Sequence, residues 1–491
     1  MKQKGFWMLG LLLSFYSCSE LEELPIDLTS NVVTRTPGDG LNDALGYGYD
    51  ITDEYLGEKS TKLRILDVAK FVKDNPDRYD NPFIGIIDQR VFAGEDAISF
   101  LKQLITDTNF NNSIASVGKD AKADSGFFSA TITTGFKSNT KYSYSSKYSF
   151  AKAEVFKKQR KYLLNSDIQT LSKYLSLSFT EDLDKYSADK IVEMYGTHVL
   201  TNITVGGVYT AYYKSSIIEE DNHIEKTNTV SAGVKFNTSK IGLDSNGSWS
   251  STEITEKNKK NSNWECYVKC LGGSTSGTSY TINPNQGTTV TINLGDWTKS
   301  VDDKNSRLVD VDWNATYPIY ELISDPIKKQ EIKDAVLRYI DSKKIEILSL
   351  RPMFEMYSPS MRDRYYVFKW SDVLKEINEW GAEYRWFDGY ILENPIENTN
   401  PMYEMYDPKT RDRYYVFSWE AVLREVNEWG AEYRWHDGYI LTVPTENTKP
   451  MYEMFDPYTK DRYFVFSWND VVSGVNEWGA EYRWHDGYIF N

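Results

Sequence analysis

Residues Tyr195 to Gly207 read Tyr-Gly-Thr-His-Val-Leu-Thr-Asn-Ile-Thr-Val-Gly-Gly. Upstream, residues 180–194 place apolar side chains at the mixed spacing of a helix with one buried stripe. Downstream, residues 208–213 are β-branched and aromatic, which indicates a strand. Gly206 and Gly207 allow that strand to bend where a Cβ would clash, although a glycine pair by itself is also typical of an ordinary bulge. The stretch therefore predicts a helix followed by a bent central strand.

The same stretch matches a family signature. The pattern aromatic-Gly-Thr-His followed by Gly-Gly resembles that of the membrane attack complex/perforin (MACPF) family, and the matching residues are Tyr195, Gly196, Thr197, His198, Gly206 and Gly207. The family usually has an aromatic residue after the histidine, where this chain has Val199. The resemblance implies an α+β domain with helical clusters that flank a kinked four-stranded antiparallel sheet. It also implies that two of these clusters unroll into membrane-inserting β-hairpins on assembly.

The N-terminus has the pattern of an export signal. Residues 1–17 hold two lysines and then an apolar run, Phe6 to Phe15, that is too short to cross a bilayer, which predicts a secretory signal peptide. Cys18 follows and predicts a bacterial lipoprotein lipidated at that residue; the alternative is a secreted protein with a chance cysteine. The acidic run after Cys18 resembles the surface-export signal of lipoproteins in gut-commensal Gram-negative bacteria; the alternative is a solvated linker. We expect an outer-membrane lipoprotein that is exposed on the cell surface, or released in vesicles or by secretion.

These patterns divide the chain of 491 residues into four parts. Residues 1–17 are the predicted signal peptide, 18–40 a lipidated linker, 41–345 a MACPF pore-forming domain and 350–491 a triple-repeat recognition domain. The net charge of −15 and the pI near 5.0 argue against nucleic acid as a partner, because phosphate binding needs a basic face.

Two blocks of alternating polar and apolar residues lie on either side of the signature, as the two membrane-inserting segments do in the MACPF family. In an extended chain this alternation gives one apolar face, and about ten residues per hairpin arm span the hydrocarbon layer in a tilted barrel. From alternation alone, half-buried surface hairpins are the more ordinary explanation, but the placement of the blocks favours membrane insertion. The candidate membrane-inserting residues are Phe128, Ile132, Phe136, Tyr142, Tyr144, Tyr148, Val230, Val234, Phe236, Ile241, Leu243 and Trp249.

The C-terminal part is a threefold repeat. Pro352, Pro401 and Pro450 lie 49 residues apart, and the segments that follow them align with one another. Each β-rich unit is predicted to have one short helix, and three units would close most simply about a pseudo-threefold axis, with an open array as the alternative. In the second unit Ser418 is predicted to cap the helix and Gly430 to end it. The buried stripe of that helix is predicted to be Val422, Leu423, Val426 and Trp429.

The tail, residues 350–491, holds nine of the chain's 14 tryptophans. Most of them are expected in the core because they occupy fixed repeat positions. Those that remain exposed, beside repeated arginines and aspartates, suit a sugar or polar head group, because aromatic faces stack on such ligands and charged groups fix hydroxyls. The candidate receptor-binding residues are Trp386, Trp435, Trp484, Arg385, Arg434, Arg483, Asp388, Asp437 and Asp486.

The sequence offers no motif for catalysis or metal binding. Its four histidines form no His-x-x-x-His pair, and it has no nucleophile elbow, P-loop or Cys-x-x-Cys. Cys266 and Cys270 on one strand would have Cα atoms ~13 Å apart, too far for a disulfide without a bend, and their redox state stays open. We therefore expect no enzyme activity, no cofactor and no metal, and a structural role for His198.

The resemblance to the MACPF family, and to secreted perforin-like antimicrobial toxins of commensal Gram-negative bacteria, implies a pore-forming, toxin-like antimicrobial protein. The tail would bind an outer-membrane protein, lipopolysaccharide or glycan, and the chains would form a homo-oligomer on the target membrane. The two blocks would then complete a β-barrel, and a wide pore needs many copies because one chain supplies only four strands. The main alternative is a non-lytic surface adhesin that binds glycans and uses the MACPF domain as a scaffold. A glycan-acting enzyme is a weaker third interpretation.

Overall fold

The signature lies at the centre of the N-terminal part of the fold. The computed structural model describes residues 44–107, 126–136, 141–239, 251–274, 279–282 and 294–491. These residues belong to one unit, Thr36–Asn491. The predicted signal peptide and linker, with Cys18, lie outside the described residues, as do Ile241, Leu243 and Trp249.

Eleven strands and ten α-helices are described before the tail. The strands are β1 (Tyr47–Tyr49), β2 (Thr61–Arg64), β3 (Tyr79–Asp80), β4 (Phe83–Gly94), β5 (Tyr148–Leu164), β6 (His198–Val199), β7 (Asn202–Ser216), β8 (Ser262–Leu271), β9 (Ser279–Ile282), β10 (Arg307–Val311) and β11 (Tyr317–Pro318). The helices are α1 (Val68–Asp74), α2 (Ala97–Asp107), α3 (Ser129–Phe136), α4 (Ile168–Leu171), α5 (Leu177–Lys185), α6 (Ala188–Tyr195), α7 (His223–Ser239), α8 (Ser251–Asn258), α9 (Leu294–Ser300) and α10 (Pro326–Ser342).

Four neighbouring strands form the antiparallel sheet that the resemblance implies, and this expectation is confirmed. Their order is β4-β5-β7-β8, while β9 pairs with the outer edge of β8 and β10 pairs with the first part of β7. β7 is buried along nearly its whole length, because layers cover both faces of the sheet. Such a strand has a continuous run of β-branched and aromatic residues.

The predicted helix before the signature is in fact two helices. α5 ends at Lys185, and α6 begins after Ser187, whose side chain accepts a hydrogen bond from the Lys190 backbone N–H. A serine at this position satisfies one of the free N–H groups of a new helix, so it favours a restart rather than a continuation. Ile191, Val192 and Tyr195 form the buried stripe of α6.

The tail contains three copies of a three-stranded unit with one helix. Its strands are β12 (Leu350–Ser358), β13 (Asp363–Val367), β14 (Glu383–Leu392), β15 (Thr399–Asp407), β16 (Asp412–Val416), β17 (Glu432–Leu441), β18 (Thr448–Asp456), β19 (Asp461–Val465) and β20 (Glu481–Phe490). Its helices are α11 (Trp370–Trp380), α12 (Trp419–Arg424), which continues as a π-helical turn over Glu425–Trp429, and α13 (Trp468–Trp478).

The three units close into a ring. The last strand of each unit pairs with the last strands of both others, through β14 with β17, β17 with β20, and β14 with β20. Around the axis, the rings of Tyr366, Tyr415 and Phe464 lie 5.8–6.2 Å apart. The tail therefore closes about a pseudo-threefold axis, and the open array is not formed.

The helix of the second repeat has the predicted ends and a narrower buried stripe. The Ser418 hydroxyl accepts from the Ala421 N–H at 3.1 Å, and Gly430 ends the helix with a φ of +71°. The predicted stripe is wrong beyond Val422, because Leu423, Val426 and Trp429 are exposed. Val422 is the buried residue of this helix, and it packs against Met405 and Tyr414 of the strands beneath it.

Candidate functional site

The first half of the signature joins α6 to the strand pair β1/β6. Gly196 has a φ of +74°, and a Cβ there would lie 2.6 Å from the carbonyl carbon of Tyr49. The Thr197 backbone N–H and hydroxyl both donate to the Tyr49 carbonyl oxygen, at 2.9 and 3.1 Å, and the hydroxyl accepts from the Ile51 N–H. His198 is fully buried, and burial lowers its pKa to about 3, so the ring is neutral. This half of the signature locks a backbone junction.

The second half of the signature marks the bend in the sheet. β7 pairs with β10 up to Gly206 and with β8 from Val208 onward, so its neighbour on that side changes at the glycine pair. A Cβ on Gly206 would lie 1.8 Å from the Lys157 carbonyl oxygen, and one on Gly207 would lie 2.8 Å from the Trp297 ring. Only glycine fits where β5 approaches Gly206 and the Trp297 ring approaches Gly207, which explains the pair in the sequence.

Two chain segments leave the bent sheet at the same end. The first insertion segment, residues 95–147, joins β4 to β5, and the second insertion segment, residues 217–261, joins β7 to β8. At this end Gly94 pairs with Phe150, Tyr148 pairs with Ser216, and Ser216 pairs with Ser262. The two segments therefore start and finish on four adjacent strands.

The first insertion segment is helical where it is described. Phe128 and Ile132 of the candidate membrane-inserting residues are buried in the domain core, and Tyr148 already belongs to β5. The Tyr144 hydroxyl lies 2.6 Å from that of Thr133, and Tyr142 stacks on Phe490 of the tail at 5.7 Å. The side chain of Phe136 lies outside the described part. Over residues 126–136 and 141–147 the chain forms helices and turns rather than extended hairpins, which are the ordinary explanation of the alternation. This part of the segment is the helical cluster that the family resemblance implies.

The second insertion segment places α7 on the opposite face of the sheet. Val230 and Val234 are fully buried against an apolar surface that includes Ala151 and Tyr213, and Phe236 is half-buried. A Cβ on Gly233 would lie 2.6 Å from the Tyr213 ring. The helix thus packs directly on the strand, and the alternating block again forms a helix rather than a hairpin.

The first insertion segment covers a face of the sheet that carries buried charges. Lys152 Nζ lies 2.5 Å from Glu154 Oε1, and both side chains are no more than 2% exposed. Glu54 accepts from the Tyr212 hydroxyl at 2.5 Å and pairs with Lys269 at 2.8 Å. Burying ion pairs costs desolvation energy that their attraction only partly returns. The covered face therefore combines buried ion pairs with buried aromatic side chains such as Phe150 and Phe156.

The tail docks against the end of the first insertion segment and the start of the second. Asp221 Oδ1 and Oδ2 accept from the backbone N–H groups of Trp370 and Ser371, at 3.1 and 2.6 Å, and so cap α11. The Ser216 and Tyr390 hydroxyls lie 2.8 Å apart, and the Tyr142 hydroxyl donates to the carbonyl oxygen of Asn491 at 2.9 Å. A displacement of the tail would therefore disturb the points where the two segments leave the sheet.

The predicted receptor-binding tryptophans lie on the outside of the ring. Trp386, Trp435 and Trp484 are 57%, 62% and 60% exposed. The prediction that most tail tryptophans lie in the core is wrong, because all of them except Trp370 are exposed. The helices of the tail contact the strands through small aliphatic residues such as Val373 instead.

The arginines and aspartates beside these tryptophans are held differently. Arg385, Arg434 and Arg483 lie over the rings of Tyr357, Tyr406 and Phe455, at 4.6–4.7 Å from the ring centroids. The aspartates are not exposed neighbours of the arginines. Burial raises the pKa of Asp388 to about 7, of Asp437 to about 6 and of Asp486 to about 8.

A carboxylate cluster that the sequence analysis missed lies on the ring axis. Oxygens of Asp363, Asp412 and Asp461 lie within 4.8 Å of one another, and each side chain is buried. Each aspartate accepts from the backbone N–H of an arginine in another repeat, at 2.9–3.0 Å. These are the described residues with the spacing of a possible cation site. The Asp-Arg dipeptide repeated every 49 residues was the available signal.

The two cysteines, Cys266 and Cys270, are both part of β8. Both Cys266 and Cys270 are buried, and burial raises the pKa of Cys266 to about 12. A buried thiol of this kind is a poor nucleophile.

Across the described residues, the helices are too short or too polar for any of them to cross a membrane.

A family model for the MAC/Perforin domain matches residues 36–348. No curated protein matches the chain in sequence. Among solved structures, the chain is similar to a MAC/Perforin-domain protein from Bacteroides thetaiotaomicron VPI-5482, described as a candidate cell invasion protein. The two are 19% identical with a TM-score of 0.49, and the match covers 71% of this chain and 69% of that one. It is also similar to GNIP1Aa from Chromobacterium piscinae, with 16% identity and a TM-score of 0.45, over 65% of this chain and 61% of the other, which is less than two thirds of its length. At such identities the likeness concerns the fold alone.

Proposed function

Because the chain belongs to the MAC/Perforin domain family, whose model matches well over half of it, we propose that it is a pore-forming, toxin-like protein that acts on the envelope of other bacteria. In this proposal the tail binds an envelope component and the chains associate edge to edge into a homo-oligomer. The two insertion segments then refold into hairpins that complete a β-barrel across the target membrane.

The observation that carries the proposal is the shared exit of the two insertion segments. Both leave the end of the sheet where Tyr148, Ser216 and Ser262 pair with their neighbours. If each segment extended, its two arms would continue β4 and β5, or β7 and β8, and the four arms would form one continuous sheet. Each segment has roughly 25 residues per arm, while a tilted strand needs about 10 to span the hydrocarbon layer.

The packing of the segments also supports refolding. Val230 and Val234 are buried against the sheet in the soluble fold, and the alternation of the block would turn them to one face of an extended strand. Lipid would then replace the sheet as their apolar environment. On the other face, α3 packs against the Tyr212 ring, and departure of the helix would uncover that ring.

The edges of the sheet suggest how copies associate. β4 is an edge strand that exposes Phe83, Ile86 and Ile87, and exposed apolar residues on an edge strand favour pairing with another chain. The opposite edge, β8, is covered by β9 through pairs such as Cys266 with Ile282. Edge-to-edge assembly therefore requires β9 to leave β8.

The proposed location rests on the N-terminal pattern, and the proposed target rests on the resemblance to perforin-like antimicrobial toxins. We propose lipidation at Cys18 and surface exposure on the outer membrane, with release in vesicles or by secretion as a further route. A competitor's outer-membrane protein or lipopolysaccharide is the proposed receptor class. We propose no enzymatic step, and the matched family model names no catalytic domain.

Dye release from target membranes tests the proposal. Vesicles are prepared from the outer membranes of related Gram-negative strains, loaded with a self-quenching dye and mixed with the purified chain. The expected result is release from the vesicles of at least one strain, together with detergent-resistant oligomers. Binding to vesicles of every strain without release would reject pore formation on these targets.

The exposed tail tryptophans also favour a second candidate, the non-lytic adhesin. Aromatic faces on the outside of a ring suit glycan binding whether or not a pore forms. Glycan binding with intact vesicles would support the adhesin, whereas release of reducing ends from a glycan would instead support an enzyme.

A further inference from the structure

Two clefts lie at junctions between repeats of the ring. The cleft between repeats 1 and 3, here the 1/3 cleft, has Glu355, Arg385, Trp386 and Asp388 on one wall and residues of α13 with β19 on the other. The cleft between repeats 3 and 2, here the 3/2 cleft, has the corresponding residues of repeats 3 and 2, including Trp484.

The 1/3 cleft is twice as large as the 3/2 cleft. Their volumes are about 730 and 350 Å³. The cause is in the sequence of the helices. Repeats 1 and 2 have Lys375-Glu376 and Arg424-Glu425 where repeat 3 has Ser473-Gly474. The third helix therefore lacks two long side chains that the other helices place at the cleft.

The missing glutamate changes how the cleft wall is satisfied. Tyr365 donates its hydroxyl to Glu376 at 2.6 Å, and Tyr414 donates to Glu425 at 2.8 Å. In repeat 3, a Cβ on Gly474 would lie 3.7 Å from the hydroxyl oxygen of Tyr463. The Tyr463 hydroxyl thus faces space that a carboxylate occupies in the other two repeats.

The 1/3 cleft combines aromatic faces with buried polar groups. Trp386 and Trp478 are 57% and 73% exposed along its rim. On its wall, Asp388 is 8% exposed, and its Oδ2 has no hydrogen-bond partner among the described residues. A buried carboxylate oxygen without a donor calls for a ligand that brings O–H or N–H groups.

We propose that the 1/3 cleft binds a saccharide unit and is the recognition site of the tail. In this arrangement Trp386 and Trp478 contact the sugar faces, the Asp388 carboxylate accepts from a sugar hydroxyl, and Arg385 donates to another. A saccharide fits better than an aliphatic ligand because polar and aromatic groups alternate along the cleft. The inference rests on the proposed role of the tail as the recognition domain. It adds that the larger of these two clefts carries the binding.

The test fills the cleft with the side chains of a sister repeat. The double variant Ser473→Arg/Gly474→Glu recreates the sequence of repeat 2, so the same scaffold already tolerates it. A Cβ on Gly474 would lie 3.0 Å from the flexible end of Met454, which can move aside. Trp386→Ala is the second variant, and Trp484→Ala in the 3/2 cleft is its matched control.

Calorimetric titration of the full chain uses two saccharide probes. One is the oligosaccharide released by mild acid from the lipopolysaccharide of the strains that supply the vesicles, and the other is the O-glycan pool released from gut mucin. We expect at least one probe to bind, with affinity lowered about tenfold or more by the double variant and by Trp386→Ala, and changed less than about twofold by Trp484→Ala. The probe that binds identifies the source of the saccharide.

Three results would overturn the inference: no binding of either probe to the wild-type chain, unchanged binding by the double variant, or equal losses from Trp386→Ala and Trp484→Ala. Vesicle leakage measured in parallel separates this inference from the proposed function. Saccharide binding without leakage would reject the pore and keep the site. Leakage that the double variant leaves unchanged would reject the site and keep the pore.

Discussion

A disulfide between the first insertion segment and the sheet should reversibly block pore formation. A Cβ on Gly135 of α3 would lie 3.3 Å from the Tyr212 Cβ of β7. Bonded cysteines have Cβ atoms about 3.5–4.5 Å apart, so a small outward shift suffices for the pair Gly135→Cys/Tyr212→Cys. The replacement also removes the Tyr212 ring, which would otherwise lie 2.8 Å from the new Cβ. The engineered pair ties α3 to the strand it must leave.

The energetic effect can be worked from the contacts. A disulfide that closes a loop of roughly 75 residues stabilises the fold by about 4 kcal/mol. Loss of Tyr212 removes a ring stacked on Tyr267 at 6.2 Å and a hydrogen bond to Glu54, which costs about 3–4 kcal/mol. The oxidised variant should therefore unfold near the wild-type temperature, and the reduced variant well below it. Cys266 will not compete for the bond, because burial raises its pKa to about 12.

Dye release from vesicles of a susceptible strain is the assay, with Tyr212→Cys alone as the control. The oxidised double variant should bind the vesicles without releasing dye, and a reductant should restore release. The control should release dye with and without the reductant. Release by the oxidised double variant at the rate of the control would refute the requirement that α3 leaves the sheet.

Three further outcomes are expected. Burial raises the pKa of Asp412 to about 8, so ionisation of this side chain in the folded protein lowers stability as the pH rises. Asp412→Asn keeps an oxygen that accepts from the Arg462 N–H, and it should raise the free energy of unfolding by about 1–3 kcal/mol at pH 8 and by less at pH 5. A lower free energy of unfolding at pH 8 in urea denaturation would contradict this. Burial lowers the pKa of His198 from 6.5 to about 3, so below pH 6.5 the unfolded chain binds more protons than the folded one. The stability advantage of wild type over His198→Asn should therefore shrink by up to about 1.4 kcal/mol per pH unit as the pH falls from 6.5 to 4.5. If urea denaturation gives the same difference in free energy of unfolding at every pH, the buried ring is not neutral. Asp221→Ala removes the carboxylate that caps α11 at Trp370, so calorimetry should show a loss of about 0.5–2 kcal/mol in the free energy of unfolding. The variant should also release more dye than wild type from vesicles that lack the receptor. Unchanged values in both assays would mean that the docked tail does not restrain the insertion segments.

Local steric constraints were the part of the fold that the sequence predicted well. Gly206 indicates a bend because the clash that excludes a Cβ comes from the adjacent strand itself. Ser418 and Gly430 indicate helix ends for a similar reason, since capping involves residues within one turn. Such features depend on neighbours in sequence or in one sheet.

The insertion segments were harder to predict because their pattern suits two structures. Val230 and Val234 lie on one face of a strand and also on one face of a helix, as positions i and i+4. The soluble form is helical because the apolar face of the sheet around Tyr213 is available to α7. The sequence of the block alone does not contain that partner surface.

The tail showed the limits of repeat reasoning. The aspartates at 363, 412 and 461 meet only because the ring closes, and no unit by itself indicates the cluster. The exposure of the tryptophans depends on which side of α11, α12 and α13 faces the strands. The change from Glu376 and Glu425 to Gly474 is visible in the sequence, but its effect on a cleft requires the neighbouring repeat.

The most direct test of refolding is a fluorophore scan along the second block on target vesicles. Single cysteines at positions 230, 231, 232, 234, 235 and 236 carry an environment-sensitive label, and position 233 is omitted because a Cβ there would meet the Tyr213 ring at 2.6 Å. In a membrane-spanning strand, a lipid-attached quencher should reach 230, 232, 234 and 236 and spare 231 and 235. Positions 232 and 236 decide the outcome: quenching confined to 230 and 234 would indicate a helix lying on the membrane and would contradict pore formation by β-hairpins.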